Sequence, residues 1–109
     1  MTKIIYNRAA LSLSMEGHAL CDDYGKDIIC AAESMLLMCL EKRLMDFGES
    51  VITTERKSPG RVYLQALPDD ESEQLCRESF DTIFSGFMLL AEYEPEHVSA
   101  MEIGEEEEN

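Results

Sequence analysis

Residues Leu11–Asp46 read LSLSMEGHALCDDYGKDIICAAESMLLMCLEKRLMD, and the period of their apolar side chains changes partway along. Leu11, Leu13 and Met15 alternate with Ser12, Ser14 and Glu16, the signal of a half-buried strand over 11–17. Gly17 ends that strand. Asp27 is placed to cap a helix running to about Asp46, its carboxylate accepting the unpaired N–H groups of the first turn. Gly48 follows as a stop signal. Between Ile28 and Leu40 only Glu33 and Ser34 are polar, so this helix is apolar nearly all round and needs cover on more than one side.

The flanking sequence supplies the sheet. Residues 3–8 form a first strand, joined to the second by a tight connection at Ala9-Ala10. Residues 50–55 and 61–66 carry Val51, Ile52, Val62, Tyr63 and Leu64 on either side of the turn Lys57-Ser58-Pro59-Gly60. A second helix begins near Asp70, with Asp70 and Glu73 as a capping box. Its stripe is Cys76, Phe80, Ile83, Phe84, Phe87, Leu90 and Ala91, and Pro95 terminates it. Val98 to Ile103 make a last strand. The expected fold is α+β in two layers, one mixed sheet with two helices in the order ββαββαβ. Residues 1–104 form a single domain and 105–109 an acidic tail. The sheet covers one side of the first helix. In a chain of 109 residues a second subunit is the expected cover for another, although the second helix and loops are the simpler alternative.

Charge and cysteine usage narrow the function. With 23 acidic against 9 basic residues the net charge is −14, which excludes a nucleic-acid surface because phosphate contacts demand Lys and Arg. Such a chain can instead steer toward a basic partner. The first residues show no signal-peptide pattern, and Ile28–Leu40 would span only about 20 Å as a helix, too short for a bilayer. A cytoplasmic protein with no membrane contact is expected, its cysteines Cys21, Cys30, Cys39 and Cys76 reduced. Their spacings of nine, nine and thirty-seven match no CxxC pattern. His18, Cys21 and Cys30 lack a fourth zinc ligand at suitable spacing, so neither a metal nor another cofactor is expected.

One segment holds the parts for acyl-transfer chemistry. A cysteine attacks as thiolate, yet a free thiol near pKa 8.5 is mostly protonated at neutral pH. Cys30 falls three residues after the expected cap, where the helix dipole and free N–H groups would favour an anion or receive an oxyanion. His18, on the preceding turn, could serve as base and then acid. Asp27 could orient the imidazole as well as cap the helix. Each residue also has a plainer reading: Cys30 as packing, His18 as a turn histidine, Ser34 as a hydroxyl bonded within its own helix. Cys39 and Cys76 read as core.

Taken together, Gly17-His18-Ala19, then Gly25-Lys26-Asp27-Ile28-Ile29-Cys30-Ala31-Ala32, then Ser34, resemble the signature of the ribosomal-processing cysteine proteases (Prp). That signature is a GHA turn, a short loop and D-[IV]-[VI]-C-A-A-x-S opening a helix. Gly86 to Tyr93 and Glu94-Pro95-Glu96-His97-Val98 resemble the same family's closing helix, turn and last strand. The resemblance implies a homodimeric endopeptidase that removes an N-terminal extension from a large-subunit ribosomal protein. It implies Cys30 as nucleophile and His18 as general base, with Gly17, Asp27 and Ser34 in supporting positions. Gly17 and Gly25 would let the loop Ala19, Leu20, Cys21, Asp22, Asp23, Tyr24, Gly25 and Lys26 move and close over substrate. Glu33 departs from the pattern, where the family often has an apolar residue, and a buried charge there would need a partner such as Lys26 or Arg43. A different class of function, a non-catalytic acidic module that binds a basic ribosomal protein, needs neither His18 nor Cys30.

Overall fold

The alternating segment does form a strand, and that strand is the middle one of the sheet. The computed structural model describes residues 1–17 and 24–104, the side chains of 24–27 excepted. Its elements are β1 (Thr2–Asn7), β2 (Ser12–Glu16), α1 (Tyr24–Asp46), a short 3-10 turn (Gly48–Ser50), β3 (Val51–Ser58), β4 (Arg61–Pro68), α2 (Glu73–Tyr93) and β5 (Val98–Ile103). The order ββαββαβ is the expected one, and the five strands make one mixed sheet in the order β3-β4-β2-β1-β5. Only β1 and β5 pair in parallel. It follows that β2 and β3 run the same way, as do β4 and β5, so each helix is a crossover between parallel strands. Right-handed crossovers made in opposite directions across the sheet put both helices on one face.

That face holds the core. Leu13 lies opposite Tyr6 on one side and Leu64 on the other, and all three are buried. With Ile4, Ala66, Val51 and Val98 they pack against Leu37, Leu40 and Leu44 of α1 and Phe80, Phe84 and Phe87 of α2. Tyr6 stacks on Phe80 with centroids 5.7 Å apart. Its hydroxyl donates to Asp81 at 2.7 Å, and Arg8 holds the same carboxylate through two N–H groups at 3.1 Å each. A buried phenol keeps its hydrogen bond in this way, and β1 is tied to α2.

Several boundaries differ from expectation. α1 begins at Tyr24 rather than after a cap at Asp27, because a single glycine costs a helix only about 1 kcal/mol and nothing else in Tyr24-Gly25-Lys26 opposes one. α2 begins at Glu73, and no capping box forms at Asp70. Instead the Asp69 carboxylate accepts the Ser72 N–H at 2.9 Å, closing a turn that delays the helix. Cys39 is exposed, not core, since it falls on the side of α1 away from the Leu37–Leu40–Leu44 stripe. Cys76 is buried as expected.

A carboxyl pair joins the far half of α1 to the edge strand. Lys57 Nζ lies 3.0 Å from Glu41 and 3.7 Å from Glu55. Burial, then the hydrogen bond and charge of Glu41, push the Glu55 carboxyl up to about 7. The bond with Glu55 and the Lys57 ammonium hold Glu41 below its ordinary value. Because the folded state favours protonated Glu55, its contribution is full at acid pH and is lost as pH rises from the usual carboxylate range toward 7. Glu55→Gln should therefore flatten the change in unfolding midpoint between about pH 5 and 7, read by thermal melts. A wild-type slope left intact in the variant would contradict the pairing.

Candidate active site

The sequence segment that suggests chemistry is divided by the fold. Gly17 ends β2 with φ of 121°, a conformation that favours glycine, and its N–H donates to the Gly60 carbonyl at 2.9 Å. A Cβ there would run into the carbonyl oxygen of Met1. The backbone at the start of β1 therefore lies directly against the residue before His18. His18 itself, with Ala19, Leu20, Cys21, Asp22 and Asp23, lies outside the described residues.

Tyr24, Gly25, Lys26 and Asp27 belong to α1, so the expected loop does not reach Lys26 and Asp27 is the helix's fourth residue, not its cap. Cys30 is then the seventh residue. The unpaired N–H groups of an α-helix belong to its first four residues, and the dipole's pull fades beyond the first turn. The expectation that Cys30 gains ionisation and an oxyanion hole from the helix end is thus corrected. Any activation of its thiol has to come from a neighbouring base or cation.

Cys30 is half-buried on α1.

One turn on, Glu33 takes its place in the core-facing stripe of α1 between Ile29 and Leu37. Only 4 % of it is exposed, and Arg43 bonds Ser79 rather than Glu33, while the Lys26 side chain lies outside the described residues. Thr2 Oγ1, equally buried, donates to Glu33 Oε1 at 3.2 Å, while Oε2 has no partner among the described residues. Burial pushes this carboxyl above its ordinary value, against the Thr2 bond, which pulls it down. The stripe of Ile29, Glu33, Leu37 and Leu40 was a visible signal that Glu33 would point inward. Nothing local marked Thr2. Ser34, by contrast, is exposed.

Where β2 leaves the sheet, a cavity of about 580 Å³ opens beside it, lined by Ser14, Glu16, Arg56, Arg61 and Tyr63 among others. Arg56 lies over the Tyr63 ring, 5.0 Å from its centroid, and Arg61 pairs with Glu16 at 2.6 Å. The cavity thus adjoins the strand end that delivers Gly17 and His18. It is large enough for a few side chains of a bound peptide.

Solved structures share this arrangement. SMU.848 from Streptococcus mutans is 28% identical and superimposes with a TM-score of 0.70, the match covering 94% of this chain and 91% of that one. The ribosomal processing protease Prp from S. aureus matches in two forms, one with a covalently linked product peptide and one with a substrate peptide. They are 19% and 17% identical with TM-scores of 0.72 and 0.73, covering 93% of this chain and 96% of theirs, and at that identity they speak to the fold. No curated protein matches the chain. A family model described as cysteine protease Prp matches residues 1–99, nearly all of the described fold. The chain belongs to the cysteine protease Prp family.

Proposed function

We propose that this cysteine protease removes an N-terminal extension from a ribosomal protein precursor, with Cys30 as nucleophile and His18 as general base. The family match carries the reading, together with the placement of Cys30 on a half-buried turn of α1 and of Gly17 at the strand end that leads into His18. In this scheme His18 takes the proton of the Cys30 thiol, and the thiolate attacks the scissile carbonyl. The imidazolium then protonates the leaving amine, and water releases the acyl-enzyme. Gly17, Asp27 and Ser34 support the dyad as neighbours of its two members, and residues from Ala19 onward cover the substrate. An acidic enzyme suits the basic surface of a ribosomal protein.

Residues 1–104 act as the catalytic domain, and 105–109 as a tail. The site works in the cytoplasm, where thiols stay reduced. No helix among the described residues is long and apolar enough to cross a membrane. The enzyme is a homodimer through the outer side of α1, which exposes Ile28, Met35, Met38 and Met45. Sedimentation velocity at micromolar concentration should give a dimer; a monomer alone would overturn that part.

The test of function is cleavage of a synthetic peptide spanning such an extension, followed by mass spectrometry. Cleavage at one bond is expected under reducing conditions, because attack requires the free thiolate. An intact peptide under reducing conditions would refute the function.

A further inference from the structure

The buried pair Thr2–Glu33 is polar chemistry that the proposed reaction does not use, and its place in the fold suggests why it is there. Glu33 sits one helical turn after Cys30, on the side of α1 that faces the sheet. Its partner Thr2 opens β1 and is itself held, its N–H donating to the His97 carbonyl at 2.8 Å. The carbonyl of the preceding residue, Met1, packs against Gly17, next to His18 in the chain. The two-residue segment Met1-Thr2 thus touches both arms of the dyad, the helix of Cys30 through the Thr2 hydroxyl and the strand end before His18 through the Met1 carbonyl.

Burial costs the charged Glu33 more than the Thr2 bond and the N-terminal ammonium return, so stability alone does not account for this bond. Leaving one carboxyl oxygen buried without a partner costs free energy, and an apolar side chain would fill the same stripe without that cost. We infer that the Thr2–Glu33 hydrogen bond is a positioning device, fixing the turn of α1 that carries Cys30 against the β1 segment that also seats Gly17, the residue before His18 in the chain. The inference rests on the Cys30/His18 reading above. Glu33 touches no reacting atom in this account; it acts through the placement of the helix.

The test compares peptide cleavage and thermal unfolding for reduced wild type, Glu33→Leu, Glu33→Gln and Thr2→Val. Glu33→Leu should melt at or above the wild-type temperature, yet lose about tenfold in kcat with KM unchanged, the scale expected of a small misplacement of reacting groups. Glu33→Gln still accepts from Thr2 and should recover most of that loss. Thr2→Val should lose kcat as Glu33→Leu does. Wild-type kcat in either Glu33→Leu or Thr2→Val would overturn the inference, as would an equal loss in Glu33→Gln or an effect confined to KM. Should Glu33→Leu fail to fold, Thr2→Val decides by the same criterion. Failure of wild type itself to cleave would remove the dyad reading and the inference together. Cleavage by wild type and by Glu33→Leu alike would remove only the inference.

Discussion

Cys30→Ala is expected to lower kcat/KM for the extension peptide by about 10³-fold or more, with the fold unchanged. Removing a covalent nucleophile takes away the pathway rather than one contact in it, and what survives is whatever positioning and electrostatics achieve with water alone. The half-buried thiol on a long helix can be shortened by one sulfur with little effect on packing, so the loss should appear in activity and not in the melt. His18→Ala should cost about 10²–10⁴-fold, the usual worth of a general base. Combined, the two changes should cost little more than Cys30→Ala alone, since a base without its nucleophile contributes nothing to the same step. Undiminished cleavage by Cys30→Ala, after exclusion of contaminating protease, would sink the nucleophile assignment.

The second large effect is on stability. Phe87 of α2 is fully buried beside Phe80 and Phe84, where the helix stripe meets the sheet. Truncating a buried phenylalanine to alanine removes its transfer free energy and leaves a cavity, together about 3–5 kcal/mol. For a domain of this size each kcal/mol moves the midpoint by about 4–8 °C, so Phe87→Ala should melt roughly 15–30 °C lower. That is a large share of a small domain's total stability. A loss below about 1 kcal/mol would mean that the core is not the single cluster the structure shows.

The sequence carried the element order because each element has a clean period. β2 announced itself by Leu11, Leu13 and Met15, and α2 by the stripe from Cys76 to Ala91, both close to the observed elements. Helix starts were less legible, since they depend on which of several nearby acids closes the turn. Asp69, not Asp70, does so before α2, and α1 extends back through Gly25 to Tyr24. That shift of four residues changes the chemistry assigned to Cys30, moving it out of the first turn. The inward direction of Glu33 could be read from its place between Ile29 and Leu37. Its partner could not, because Thr2 is 31 residues away and a hydroxyl carries no charge to suggest the pairing.

The central claim is that Cys30 is a thiolate held by His18. It is tested most directly by the pH dependence of iodoacetamide labelling, followed by peptide mapping, with exposed Cys39 as internal reference. Cys30 should label fastest, with an inflection well below the ordinary thiol value of about 8.5, and in His18→Ala that inflection should move up toward it. A Cys30 that titrates as an ordinary thiol in the wild type, or whose profile is unchanged by His18→Ala, would contradict the account.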